Sequence, residues 1–197
     1  MISRLTPADA LELLKAGNER FVAGAPQFEP YGPRVAEFAG GQNPFAVVLG
    51  CSDSRVPIET IFDQVPGNVF VVRVAGNFLD DSTLGSIEYS VEVLTSRLIV
   101  VLGHLRCGAV TAALAYVREG VRQRGHIQNI VEAVTPAVRA ARKLPGEWLE
   151  EAIAQNVALN VKALIANSKI VAERVDAGEL QVIGGIYNVT TGRVAFA

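Results

Sequence analysis

Leu98-Ile99-Val100-Val101-Leu102-Gly103-His104-Leu105-Arg106-Cys107-Gly108 is the stretch that decides the fold. Its first five residues are apolar without interruption, and Ile99, Val100 and Val101 are β-branched. A strand with one wet face alternates apolar and polar residues. An unbroken apolar run marks a strand buried on both faces, as in a parallel sheet covered by helices. Residues 45–49, 69–74 and 180–186 repeat the pattern.

Helical periodicity fills the intervals. Thr6-Pro7 supplies an N-cap with proline at the first helical position, and Leu11, Leu14, Asn18 and Phe21 follow at helical spacing as far as Gly24. Residues 82–95 carry Leu84, Ile87, Val91 and Leu94 on one face, and 109–118 is a further apolar helix. Over 127–142 the stripe is Ile127, Ile130, Val131, Val134 and Val138, with Thr135-Pro136 restarting the helix at a kink. One long helix is expected over 147–177, carrying Leu149, Ile153, Val157, Val161 and Leu164 and stopped by Gly178. These stripes read as core packing, and Trp148 as packing at the start of the last helix.

Strands alternating with helices predict an α/β fold, a central mostly parallel β-sheet flanked by helices with an N-terminal helical arm. At 197 residues, 50% of them hydrophobic, the chain suits a single domain over 1–197, with helix and arm in 1–40 and the α/β core in 41–197. Residues 24–33, with Pro26, Pro30 and Pro33, read as an extended arm. In such sheets, ligands collect beyond the carboxyl ends of the strands.

The charge balance is nearly even, 18 basic against 20 acidic residues, with no basic block. That disfavours nucleic acid and an anionic membrane surface as partners. Without a signal-like apolar segment or a run of about 18 apolar residues, a cytoplasmic location is expected. The two cysteines are expected to be unpaired in a reducing compartment. Asn188-Val189-Thr190 reads as a turn closing a strand rather than a glycosylation site.

Chemistry concentrates in two segments that each follow a buried strand: Gly50-Cys51-Ser52-Asp53-Ser54-Arg55 and Gly103-His104-Leu105-Arg106-Cys107-Gly108. They hold both cysteines and one of the two histidines. Either cysteine alone would read as a small buried hydrophobe. Together, two thiolates and an imidazole suit zinc, and three protein ligands leave the fourth position open, the catalytic arrangement. Asp53 and Arg55 follow Cys51 closely enough to pair beside the metal, where a guanidinium lowers the carboxylate pKa and fixes its orientation. His126 reads as surface or cap.

The pair of motifs Cys51-Ser52-Asp53-Ser54-Arg55 and His104-x-x-Cys107-Gly108 resembles the signature of the β-class carbonic anhydrases. The similarity extends through Gly17-Asn18-Glu19-Arg20-Phe21, Gly41-Gln42-Asn43-Pro44, Phe70-Val71-Val72-Arg73, Gly85-Ser86-Ile87-Glu88-Tyr89 and Val100 to His104. The resemblance implies one zinc ion per subunit on Cys51, His104 and Cys107, with Asp53 and Arg55 as the catalytic dyad. It implies substrate contacts at Gln42, Phe70, Ala75, Tyr89 and the Gly108 amide, Gln42 being supplied by a neighbouring subunit. The implied activity is reversible hydration of carbon dioxide to bicarbonate and a proton by zinc-bound hydroxide, in a homo-oligomer, dimer or tetramer. Part of the family also has a closed state in which the aspartate matching Asp53 leaves the arginine and takes the fourth zinc position.

Arg106 and Val74 depart from the family pattern, and Val48 replaces a tryptophan found in members inhibited by bicarbonate. Two alternatives share the motif: hydrolysis of carbonyl sulfide or carbon disulfide on the same scaffold, and a non-catalytic zinc-binding protein. The absence of a dinucleotide or phosphate-loop glycine motif disfavours nucleotide binding.

Overall fold

The computed structural model describes residues 5–27 and 32–197, so part of the expected arm, residues 28–31, lies outside the described residues. Helix α1 (Pro7–Ala23) begins with Thr6 and Asp9 capping each other reciprocally and ends on Gly24 in the left-handed conformation. A 3-10 segment (Gly32–Phe38) leads to β1 (Ala46–Gly50), the short α2 (Ile58–Ile61), β2 (Val69–Arg73), α3 (Asp81–Glu92) and β3 (Leu98–His104). Then follow α4 (Gly108–Glu119), α5 (Ile127–Ala141), α6 (Trp148–Asn167), α7 (Lys169–Asp176), β4 (Gln181–Tyr187) and β5 (Val194–Phe196).

The sheet order is β2-β1-β3-β4-β5. The first four strands are parallel, and β5 pairs antiparallel with β4. Strands β1 and β3 are buried at every position. Alternate residues serve opposite faces, as period two requires. Ala46, Val48, Leu98, Val100 and Leu102 pack with Leu14 of α1 and with Ile58, Ile61 and Phe62. Val47, Leu49, Ile99 and Val101 pack with Ile87 and Val91 of α3, Val157 and Leu164 of α6 and Val171 of α7. The central strands are thus covered on both sides, which is why their sequence never alternates.

The expected elements over 45–49, 69–74, 98–102 and 180–186 are present as β1 to β4, within two residues at either end. Two helix expectations need correction. The stretch 147–177 is two helices, because Ser168 takes an extended conformation (φ −116°, ψ 113°) that ends α6 and caps α7. Its hydroxyl accepts from the Val171 amide and donates to Glu88 on α3, so the break is fixed by tertiary contacts. Helix α5 does not restart at Pro136; it runs through, with the Thr135 hydroxyl donating to the Val131 carbonyl in the turn before. Strand β5 has no counterpart in the expectations.

The motif Gly17-Asn18-Glu19-Arg20 docks α1. Gly17 lies against the Phe62 backbone so closely that a Cβ would meet the carbonyl oxygen. Buried Asn18 donates to the Ile61 and Gly192 carbonyls and accepts from the Val194 amide, tying α1 to β5. Arg20 pairs with buried Asp63. At the far end of β4, Asn188 accepts from the Thr190 and Thr191 amides, which is the turn expected there.

Candidate active site

Parallel pairing of β1 with β3, with Gly50 opposite Leu102, brings the two chemical segments together at the carboxyl edge of the sheet. Cys51 follows β1, His104 ends β3, and Cys107 is the N-cap of α4. Their exposures are 4%, 1% and 1%. The three donor atoms lie within 4.8 Å of one another. Tetrahedral zinc with ordinary Zn–S and Zn–N lengths sets donors about 3.5–3.8 Å apart, so the trio fits after inward movement of at most about 1 Å.

The imidazole is set for ligation. Nδ1 lies 3.0 Å from the Leu105 carbonyl, which fixes the tautomer that leaves Nε2 as an electron-pair donor. Nε2 is buried and has no hydrogen-bond partner among the described residues. A buried polar atom is normally satisfied, and its position facing two sulfurs fits a metal ligand. Both cysteines are free. The hydrogen bond with Cys107 pulls the Cys51 thiol down, against burial, with help from His104 and the Gly76 amide. The same bond, with burial, pushes Cys107 up, while the Val110 and Ala109 amides in the first turn of α4 oppose that shift.

Asp53 and Arg55 form the anticipated fork. Arg55 Nε donates to Oδ1 at 2.9 Å, Nη2 donates to Oδ2 at 2.7 Å, and the Arg55 amide adds a bond to Oδ1 at 2.9 Å. These bonds hold the Asp53 carboxyl well below the usual carboxylate range against partial burial, and the carboxylate raises Arg55. Oδ2 is 3.9 Å from His104 Nε2, beside the space the three donors enclose. Arg73, at the end of β2, fastens the loop by donating to the Cys51 and Asp53 carbonyls at 3.0 and 2.7 Å. Arg106 has a left-handed backbone (φ 59°) and an exposed side chain. Its carbonyl accepts from Arg55 Nη2 at 3.3 Å.

Of the other candidates, Gly108 opens α4 next to Cys107, and Ala75 precedes the Gly76 amide that reaches Cys51. Gln42, Phe70 and Tyr89 are not brought to the trio within one chain. Gln42 lies exposed before β1, at the opposite end from Cys51. Phe70 is opposite Val47 on edge strand β2, about 10 Å upstream of the Arg73 level by strand rise. Tyr89 stands on α3, 49% exposed, its ring 6.3 Å from that of Phe70. His126 is the exposed N-cap of α5, as anticipated. Sequence reasoning missed the supports at Gly76, Asn156 and Asn160; the isolated asparagines in the apolar stripe of α6 were the available signal.

Fold and site thus place a three-donor Cys-His-Cys group that could hold a metal ion, with an Asp-Arg fork beside it, at the carboxyl edge of an α/β sheet. The carbonic anhydrase family matches residues 46–194. Carbonic anhydrase 2 of Mycobacterium tuberculosis is 46% identical over 188 residues, covering 95% of this chain and 91% of the relative. A carbonic anhydrase of Mycolicibacterium smegmatis is 46% identical over 189 residues, covering 95% and 92%. Among solved structures, the β-carbonic anhydrase of Coccomyxa in complex with acetazolamide superposes with a TM-score of 0.71 at 30% identity, covering 96% of this chain and 86% of that one. One of two tetrameric β-carbonic anhydrases from Sordaria macrospora gives 0.70 at 27% identity, covering 95% and 96%. The chain belongs to the carbonic anhydrase family, in its β class. No helix among the described residues is long and apolar enough to cross a membrane.

Proposed function

We propose that this protein catalyses the reversible hydration of carbon dioxide to bicarbonate and a proton, with one zinc ion per subunit held by Cys51 Sγ, His104 Nε2 and Cys107 Sγ. The observation that carries the reading is the unpartnered His104 Nε2 within 4.8 Å of two buried sulfurs, beside the Asp53–Arg55 fork. Zinc in that position supplies the Lewis acidity that makes water a nucleophile near neutral pH.

The chain's own groups do the rest. Asp53, kept ionised by Arg55, accepts a hydrogen bond from the attacking water and turns an oxygen lone pair toward the carbon. Arg55 holds that carboxylate away from the ligands. The new C–O bond forms as the water proton leaves to solvent, and the Gly108 amide donates to a product oxygen at the head of α4, where helix polarity favours an anion. Two thiolates already offset the charge of a dication, so orientation by Asp53 carries a larger share than it would beside three neutral imidazoles.

Gln42, Phe70 and Tyr89 serve the pocket of a second copy. Their separation from the trio within one chain supports a dimeric site, and the tetrameric relative from Sordaria macrospora supports further pairing. Zinc analysis with stopped-flow hydration of carbon dioxide tests the function. One zinc per chain and hydration well above buffer are expected; no hydration by the zinc-loaded protein rejects it. Asp53→Ala is expected to keep its zinc and lose most activity, and near-normal turnover would remove Asp53 from its role.

A further inference from the structure

A polar relay lies behind Cys51. The Gly76 amide donates to Cys51 Sγ at 3.3 Å, and the Gly76 carbonyl accepts from Asn156 Nδ2 at 2.8 Å, across 80 residues of sequence. Asn160 Nδ2 donates to the Asn156 carbonyl at 2.8 Å and lies 3.3 Å from Asn156 Oδ1, while Asn160 Oδ1 accepts from the Leu79 amide at 3.0 Å. Two asparagines one turn apart on α6 therefore grip both ends of the loop over 76–79.

That loop needs holding. Gly76 has φ +84° and Asn77 φ +39°, and a Cβ at Gly76 would stand 3.0 Å from both Ala109 and Val134. Strained backbone of this kind persists where its surroundings over-determine it, and it clusters at functional sites. Asn156 is buried to 3% exposure on a helix whose neighbouring inward positions, Ile153, Val157 and Leu164, are apolar. Burying an amide costs free energy that leucine would not incur. Packing alone gives no reason for asparagine here.

We propose that Asn156 is a positioning residue for the metal centre: through Gly76 it aims a backbone N–H at the Cys51 sulfur, fixing that sulfur and drawing charge from it. The inference rests on the zinc assignment above. A thiolate that shares its charge with an N–H donates less to the ion, which keeps more of its Lewis acidity for water. Groups behind a ligand commonly set affinity on this scale: their loss weakens metal binding by roughly 10- to 100-fold.

The test uses the full chain. Asn156→Leu is expected to weaken zinc binding roughly 10- to 100-fold in competition with a chromogenic chelator, because loss of the held sulfur position outweighs the sulfur's gain in donor strength. It is also expected to move the thiolate-to-metal charge-transfer band of the cobalt-loaded protein to longer wavelength, because the freed sulfur becomes a better donor. Leu164→Ala, buried on the same helix away from the trio, should lower thermal stability while leaving affinity and band unchanged. Asn160→Leu, which keeps the Gly76 bond but releases Leu79, should shift both readouts in the same direction by less, and it decides the matter if Asn156→Leu does not fold. Wild-type affinity and band in the asparagine variants, or equal changes in Leu164→Ala, would overturn the proposal. Failure of the wild type itself to bind zinc would instead reject the zinc assignment.

Discussion

Gly103→Ala tests how the central strand delivers His104. A Cβ at 103 would stand 2.7 Å from Val157 Cγ2 and 3.4 Å from Ile153 Cγ2, both on α6. Carbon atoms in contact sit about 3.5–4.0 Å apart, so α6 must lift by about 1 Å or Val157 must rotate. Rotation offers little relief, because the other methyl of Val157 already fills the gap over Gly184, 2.6 Å from where a Cβ would be. Overpacking of this kind costs about 1–3 kcal/mol. Val157→Ala alone should cost about 2 kcal/mol, between the single-methylene and Leu→Ala ranges. In the double variant the new methyl occupies the space the valine left, so the two costs should fall short of additivity by about 1–2 kcal/mol. Urea unfolding of the four proteins, at constant zinc, measures the cycle. Costs that simply add would refute the wedge between β3 and β4.

Other expectations follow from the same contacts. Asn18→Ala removes three hydrogen bonds, one buried and two part-buried, that join α1 to the Ile61 region and to β5; at roughly 1 kcal/mol each it should destabilise by about 3 kcal/mol, read by urea unfolding, with zinc content unchanged. Arg55→Lys keeps the charge but loses the fork on Asp53 and the bond to the Arg106 carbonyl. Its zinc content should be normal and its kcat lower by up to roughly 100-fold, the scale of a misplaced catalytic group. Asp9 has its pKa lowered, first by the side-chain bond with Thr6, so its contribution to stability is present above the ordinary carboxylate pKa and fades as pH falls through the lowered value. Asp9→Asn should therefore melt below wild type at pH 7, with the gap closing in strong acid.

Strands β1 and β3 were legible because burial on both faces leaves no polar residue to interrupt them. The clustering of Cys51, His104 and Cys107 was legible because chemistry-bearing residues are few in this chain and fall just past two such strands. Strand β5 was not: three residues, Val194–Phe196, become a strand only by pairing with β4. The end of α6 was hidden for a related reason, since Ser168 breaks the helix with the help of Glu88 from 80 residues away. The grip of Asn156 on Gly76 spans the same separation and leaves no local trace beyond two polar residues in an apolar stripe. Gln42, Phe70 and Tyr89 could be named by resemblance alone, because nothing within a single copy brings them to the trio.

The spacing of the donors along the chain also decides what must form before they meet. His104 and Cys107 are near neighbours along the chain, but Cys51 joins them only after β1 has paired in parallel with β3, a contact that must close a long loop before it returns any energy. Where a zinc finger cannot fold without its ion, a metal held by all three donors here would find its complete cradle only where β1 and β3 already lie side by side.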